Sequence, residues 1–128
     1  MTRALLDTSI FVALQQGRAL ERPLPDEVGV SVVTLAELEV GVLVAADEDA
    51  RATRLQTLVA VRERAAPLEV DQRTASAYAR LASAALRAGR RPRIHDTWIA
   101  ATALVHESAV WTQDRDFTHF PHVEVVRV

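Results

Sequence analysis

Two adjoining segments decide the fold of this chain: PRIHDTWIAATALV at residues 92–105 and AVWTQDRDF at residues 109–117. The first reads as a loop that delivers Asp96 to the start of an alanine-rich helix. The second reads as a short apolar strand followed by two acids, Asp114 and Asp116. A helix that leads into a buried strand is the repeating unit of a parallel sheet, because parallel strands need a crossover connection.

The rest of the chain repeats this alternation of short apolar runs with helical patterns. Further strands are predicted for four apolar runs, at residues 3–6, 28–33, 67–70 and 123–126. Helices with an apolar stripe are predicted to begin near residue 8, near residue 34, after the acidic run at 47–49 and near residue 71, the last of them stopped by Gly89. This order predicts an α/β fold in which helices cover both faces of a parallel sheet. Residues 1–128 are expected to form a single domain.

Acidic residues follow the predicted strands. Asp7 follows the first strand, Glu37 follows the second, and the acids at 114 and 116 follow the strand at 109–112. The carboxyl ends of parallel strands share one edge of a sheet, where ligands bind in folds of this class. An acid near a helix start has an ordinary explanation as a cap, and Thr34 with Glu37 fits a capping box. Capping does not explain why several acids share one edge, where carboxylates raise one another's pKa unless a cation intervenes.

A divalent metal is the predicted cation. The chain has no cysteine, so oxygen ligands and a hard ion, Mg²⁺ or Mn²⁺, are favoured over Zn²⁺. Asp7 and Asp96 are the predicted direct ligands, with Asp114 or Asp116 beside them or acting through water. Glu37 is predicted to ligate a second ion or to orient the attacking water, and both one-metal and two-metal sites fit the pattern. Such a site suits an enzyme that acts on a phosphodiester.

Hydroxyl and imidazole groups adjoin these acids. Thr8, Ser9 and Thr112 are predicted to position carboxylates or to contact phosphate. His95 adjoins Asp96 and has two interpretations, a surface hydrogen-bonding group or a contact to the scissile phosphate. The other histidines lack the spacing of metal ligands and are expected to be structural: His106, His119 and His122.

Positive charge in this chain comes from arginine alone. The net charge is -2 and there is no lysine, so the composition lacks the basic excess that is typical of nucleic-acid-binding proteins. Four arginines nevertheless cluster just before Asp96: Arg87, Arg90, Arg91 and Arg93. They have two interpretations, as solvated cations at a helix end or as bidentate contacts to phosphate.

Membrane and export signals are absent from the printed sequence. The longest uncharged run is far shorter than the roughly 18 apolar residues of a membrane span. Asp7 interrupts the first apolar run, so the pattern of a secretory signal peptide is not met. We therefore expect a cytoplasmic protein with no membrane partner.

Four segments together resemble the PIN-domain nucleases, in particular the VapC toxins of bacterial toxin–antitoxin pairs: LLDTS at 5–9, SVVTLAEL at 31–38, IHDTWIAATA at 94–103 and WTQDRDF at 111–117. By this likeness Asp7, Glu37, Asp96 and Asp114 match the acidic quartet of the family, with Asp116 an accessory acid. Many members have a glycine before the last core strand, where this chain has residues 106–108 without one, so the geometry of that turn stays open.

This resemblance implies a PIN-like three-layer α/β/α fold with about five parallel strands. It implies metal-dependent endonucleolytic cleavage of RNA, either tRNA or ribosomal RNA, by a homodimer with a cognate VapB-like antitoxin that covers the site. Arg90, Arg91 and Arg93 become candidates for RNA binding. A groove for an antitoxin helix would use apolar residues of the second and third helices, which could equally be core: Leu38, Val42, Leu43, Leu55 and Leu58.

Two alternatives belong to other classes. A catalytically silent PIN domain would serve as an RNA-binding or partner-binding module. A phosphoryl-accepting receiver domain also places acids at strand ends around Mg²⁺, but such domains use a lysine at the site and this chain has none.

Overall fold

The centre of the molecule is a parallel sheet. The structure, a computed structural model, describes residues 3–117 and 120–128, so His119 and its predicted structural role lie outside the described residues. Within them the strands are β1 Ala4–Leu6, β2 Val28–Ser31, β3 Pro67–Leu68, β4 Ala109–Thr112 and β5 Val125–Arg127. They lie in the order β3-β2-β1-β4-β5, and each neighbouring pair is parallel. The predicted parallel sheet of about five strands is confirmed.

Helices cover both faces of the sheet. They are α1 Thr8–Gln15, α2 Val32–Leu43, α3 Glu48–Arg64, α4 Gln72–Arg87 and α5 Ile94–Val105. Side chains of β1 alternate between two cores, because successive residues of a strand point to opposite faces. Leu6 packs with residues of α1, α2 and α3, whereas Leu5 packs with residues of α4 and α5. This is the three-layer α/β/α arrangement that the resemblance implied.

The start of α2 differs from the prediction. Ser31 is the N-cap, and its hydroxyl accepts a hydrogen bond of 3.0 Å from the backbone N–H of Val33. Thr34 is fully buried inside the first turn, so the predicted capping box of Thr34 with Glu37 is wrong. The strand ends at Ser31, and this serine caps the helix before the threonine is reached.

Two further boundaries also change. Helix α5 begins at Ile94, with Arg93 as its N-cap, so Asp96 lies in the first turn rather than opening the helix. The predicted strand at 67–70 is limited to Pro67–Leu68, because the chain then turns towards Asp71, whose side chain caps α4 through the backbone N–H of Thr74.

The turn between α5 and β4 uses a residue other than glycine for a left-handed conformation. Helix α4 ends at Arg87 and is stopped by Gly89 as predicted, where φ is 73° and the N–H of the next residue, Arg90, donates to the carbonyl of Ala85. Glu107 takes the equivalent position after α5 with φ at 51°, and the N–H of Ser108 donates to the carbonyl of Ala103 at 2.9 Å. The turn without glycine therefore has the same Schellman geometry, at the cost of a strained glutamate backbone.

None of the helices in the described parts of the chain combines the length and the apolar content that a bilayer crossing requires.

Replacing Glu107 by glycine is expected to stabilise the protein. Glycine adopts positive φ without the steric cost of about 1–2 kcal/mol that other residues carry, and its greater freedom in the unfolded chain offsets part of this gain. We expect Glu107→Gly to raise the free energy of unfolding by roughly 0.5–1 kcal/mol in urea denaturation. The control change Gln56→Gly, at an exposed position in the middle of α3, should lower it by about 1 kcal/mol. A loss of stability in Glu107→Gly would contradict this account of the turn.

Candidate active site

Asp7 is a buried carboxylate that two hydroxyls hold in place. It follows β1 as the N-cap of α1, yet its side chain makes no capping hydrogen bond, and only 5% of its surface is exposed. Its Oδ2 atom accepts hydrogen bonds from Ser9 Oγ at 2.8 Å and from Thr112 Oγ1 at 2.7 Å. The side chain is therefore oriented by neighbours rather than used to start the helix.

The same hydroxyls connect Asp7 to the loop after β4. Ser9 Oγ accepts the backbone N–H of Gln113 at 2.9 Å, and Thr112 Oγ1 accepts that of Asp114 at 2.9 Å. The carboxylate of Asp114 in turn accepts the backbone N–H of Asp116 at 2.8 Å. Asp7 and Asp114, which are far apart in sequence, thus belong to one hydrogen-bonded network.

Glu37 also has partners other than a helix cap. It lies on the second turn of α2, where Oε1 accepts a hydrogen bond of 2.8 Å from Thr8 Oγ1. Thr8 Oγ1 also lies 3.2 Å from Thr34 Oγ1. The other oxygen, Oε2, lies 3.4 Å from Nδ1 of His95. Glu37 is therefore held between α1, which follows Asp7, and the start of α5.

Asp96 faces an arginine from its own helix. Arg93 Nε lies 3.1 Å from Asp96 Oδ2, and Arg93 Nη2 donates to Asp114 Oδ2 at 3.4 Å. Its Nη1 donates to the backbone carbonyl of Asp116 at 3.1 Å. The Nε contact is an ion pair without hydrogen-bond alignment, so the buried Oδ2 of Asp96 has no hydrogen bond within the described residues.

The pKa of Asp96 reports how closely the acids converge. Burial, which is the largest cause, acts together with the negative charges of Asp7, Asp114 and Glu37 to raise this pKa from 3.8 to about 6, against the opposing effect of Arg93. Only charges at short range act on a buried carboxyl in this way. The structure therefore brings Asp7, Glu37, Asp96 and Asp114 to one place at the carboxyl edge of the sheet.

These residues fit a hard divalent cation. In the described ranges, no group of three or more Asp, Glu and His side chains converges as a ready-made metal cage. Mg²⁺ does not need such a cage, because it keeps several waters and takes one or two carboxylates directly. The buried and unbonded Oδ2 of Asp96, close to the charge of Asp7, supplies an oxygen of the required kind.

Other predicted site residues lie outside this cluster. The side chain of Asp116 is exposed, and this residue joins the network through its backbone N–H and carbonyl. Arg90 and Arg91 are exposed on the loop before α5. His106 caps the carboxyl end of α5, and His122 is exposed in a turn.

Two contacts of the site are not predicted from the sequence. The arginine cluster predicts only RNA or solvent as partners of Arg93, although an arginine and an aspartate three positions apart at a helix start are neighbours. That spacing could have predicted the pair with Asp96. The contact of His95 with Glu37 joins two helices, and nothing in the local sequence of either residue signals it.

Comparison with known proteins agrees with this geometry. The PIN domain family model matches residues 4–123. The chain belongs to the PIN-domain family, in its VapC branch. Ribonuclease VapC5 of Mycobacterium tuberculosis is 48% identical over 97% of this chain and 94% of its own length. Ribonuclease VapC4 of the same organism is 44% identical over 98% of this chain and 97% of its own length.

A solved structure shows the same fold for this PIN domain. It is a crystal structure of VapBC-5, a member of the VapBC family of toxin–antitoxin systems from M. tuberculosis. The matched chain superposes with a TM-score of 0.89 at 45% identity, and the match covers 100% of both chains. The resemblance drawn from the four sequence segments is thereby confirmed.

The raised pKa of Asp96 predicts how the stability of the metal-free PIN domain depends on pH. Because its pKa in the folded state is about 6 instead of 3.8, the folded chain binds this proton more tightly than the unfolded chain. The resulting penalty is absent at low pH, grows as the pH rises through about 4 to 6, and persists above. The free energy of unfolding in urea, measured with a chelator present, should be higher for Asp96→Asn than for wild type at about pH 8 and similar for the two proteins at about pH 4.

A second aspartate provides a control of opposite sign. Hydrogen bonds from the N–H and hydroxyl of Thr74 lower the pKa of Asp71 below its usual 3.8. The ionised Asp71 therefore stabilises the folded chain above about pH 3.8, and this stabilisation is lost in acid. Asp71→Ala should be less stable than wild type at about pH 8. If Asp96→Asn were less stable than wild type at this pH, the description of Asp96 as a carboxylate that is desolvated and repelled by its neighbours would be wrong.

Proposed function

We propose that this PIN domain is a metal-dependent endoribonuclease and the toxin of a bacterial toxin–antitoxin pair. Its proposed substrate is structured RNA, tRNA or ribosomal RNA, cleaved at a phosphodiester bond. The observation that carries the proposal is the buried, unbonded carboxylate oxygen of Asp96 among three other acids. The names of its relatives, Ribonuclease VapC5 and Ribonuclease VapC4, support the reaction class.

Each acid receives a role in this proposal. Asp7, Asp96 and Asp114 hold Mg²⁺ or Mn²⁺, directly or through water, and Glu37 orients the attacking water or serves a second ion. Asp116 is an accessory acid in the same loop. A bound ion of this kind activates water and stabilises the charge that develops on the phosphate.

The hydroxyls around the acids have a positioning role. Ser9 and Thr112 both donate to one oxygen of Asp7, which leaves the other oxygen to face a cation. Thr8 and His95 contact the two oxygens of Glu37 from different helices and restrict its rotation. Catalytic groups held in this way lose little freedom when substrate binds.

The exposed arginine loop is the proposed surface for RNA. Arg90 and Arg91 lie on the segment that leads into α5, close in sequence to the acidic cluster. Arginine binds phosphate through two parallel N–H groups. The local positive charge of this loop therefore attracts RNA although the net charge of the chain is -2. Arg93 belongs to the same proposed surface once its contacts with the acids are released.

The proposed protein partners are a VapB-like antitoxin and a second copy of this chain. Leu43 and Leu55 are 70% and 46% exposed, but the other predicted groove residues are core, since Leu38, Val42 and Leu58 are buried. A groove of about 490 Å³ lies between α1 and α3 with a mainly aliphatic lining. A groove of this character suits the apolar face of an antitoxin helix. We place the whole system in the cytoplasm, where structured RNAs are accessible.

Asp96→Asn is expected to abolish RNA cleavage. The amide keeps the size of the side chain but removes the charge that would bind Mg²⁺. Changes to groups that only support a metal ligand already cost about 10–100-fold in activity, so a direct ligand should cost at least about 100-fold. Cleavage of total RNA in Mg²⁺ or Mn²⁺, and growth after induction, measure the effect.

The matched control for this variant is Asp26→Asn. Asp26 is exposed before β2, at the opposite edge of the sheet, and the variant should cleave RNA and arrest growth like wild type. Metal-dependent cleavage by Asp96→Asn would refute the assignment. Absence of cleavage and of Mn²⁺ binding in wild type would instead favour a catalytically silent PIN domain. Sequencing RNA ends after brief induction would then identify the cleaved RNA.

Loss of Arg90 and Arg91 should weaken RNA binding in a salt-dependent way. In the inactive Asp96→Asn background, the double change to glutamine removes two phosphate contacts. The plot of log affinity against log salt concentration should become less steep by about 1.4, because each phosphate contact with a single strand contributes about 0.7 to the slope. Fluorescence anisotropy over a salt series measures this slope, with Arg3→Gln/Arg51→Gln as the control of equal charge. An equal slope in the two double variants would exclude this loop as the RNA surface.

A further inference from the structure

Arg93 places a permanent positive charge inside the acidic cluster. Its guanidinium lies 3.1 Å from Asp96 Oδ2 and 3.4 Å from Asp114 Oδ2, and these two residues are among the proposed metal ligands. Among the ion pairs of the described chain, this is the only one in which a single arginine contacts two acids. The guanidinium therefore lies beside the same two carboxylates that would bind a divalent cation.

We propose that Arg93 is an internal placeholder for the metal, whose guanidinium neutralises Asp96 and Asp114 in the metal-free protein and leaves them when a divalent ion binds. This inference rests on the proposed metal-dependent function. It adds that the metal must compete with a group of the chain itself, so that Arg93 lowers the affinity of the site for its ion.

The geometry of the contacts supports displacement. The closest contact, to Asp96 Oδ2, lacks hydrogen-bond alignment and leaves that buried oxygen unbonded. The Arg93 side chain is 52% exposed, so it can swing towards solvent without disturbing the core. A guanidinium does not lose its proton at any ordinary pH, so its charge can be removed from the site only by movement. A divalent ion at Asp96 and Asp114 would repel it in that direction.

A different role for Arg93 predicts the opposite effect on metal binding. Its Nη1 donates to the backbone carbonyl of Asp116, so the side chain could serve as a clamp that holds the 114–116 loop in place. If it were a clamp, its removal would loosen Asp114 and weaken metal binding. If it is a placeholder, its removal strengthens metal binding, because the ion no longer has to displace a cation.

Isothermal titration with Mn²⁺ separates the two roles. Because half-exposed ion pairs are individually weak, we expect Arg93→Gln to lower the Kd for Mn²⁺ by about fivefold to tenfold. The matched control is Arg3→Gln, since Arg3 makes an exposed pair with Glu27 at the opposite edge of the sheet. It carries the same change in net charge and should bind Mn²⁺ like wild type. Arg93→Lys, which keeps a charge without the planar fork, should lie between wild type and Arg93→Gln.

Thermal unfolding provides a second readout. With a chelator, Arg93→Gln should melt below wild type, because the acids lose their internal counter-ion, and saturating Mn²⁺ should raise its Tm by more than that of wild type. An unchanged or higher Kd in Arg93→Gln, with wild type still binding Mn²⁺, would overturn the placeholder. Equal Mn²⁺ affinities of wild type and Asp96→Asn would instead overturn the proposed metal site itself.

Discussion

Repulsion between carboxylates at one edge of the sheet is the constraint on which the site depends. Asp7, Glu37 and Asp114 all act on the charge of Asp96, which is also desolvated. A fold gains nothing in stability from such a group, since each carboxylate would be better solvated alone. The chain offsets this cost with local partners: hydroxyls on Asp7, a hydroxyl and an imidazole on Glu37, and a guanidinium on the other two acids.

Strand order explains why residues distant in sequence meet in this cluster. Strands β1 and β4 are adjacent, and Leu6 pairs with Trp111, so the next residues lie side by side: Asp7 just after β1 and Thr112 at the end of β4. That register is what allows Thr112 to donate to the carboxylate of Asp7 while accepting the N–H of Asp114. A register shift of one residue would send the Thr112 side chain to the other face. The candidate active site is thus a consequence of the strand pairing that also builds the core.

The sequence predicted the parts of the site that follow from period and chain direction. Strand ends in a parallel sheet face the same edge, so Asp7 and Asp114 could be placed together without coordinates. Helix caps and turn conformations could not be predicted in the same way, because neighbouring residues compete for these positions. Ser31 rather than Thr34 caps α2 because the strand ends early, and Glu107 adopts the backbone conformation expected of glycine. A side chain with several rotatable bonds, such as Arg93, has too many alternatives for its direction to be inferred from spacing alone.

The choice of arginine at position 93 follows from what the two carboxylates require. Lysine presents one compact ammonium and can lose its proton when buried near other groups, whereas the planar guanidinium stays charged and offers several donors in a fixed arrangement. Three nitrogens of Arg93 face three different partners: Nε forms an ion pair with Asp96, whereas Nη2 and Nη1 donate hydrogen bonds to Asp114 and to the carbonyl of Asp116. The same arrangement of donors matches phosphate oxygens. In the proposed enzyme, Arg93 therefore counters the acids before the ion binds and faces the RNA backbone afterwards, which reconciles its observed ion pairs with its predicted place on the RNA surface.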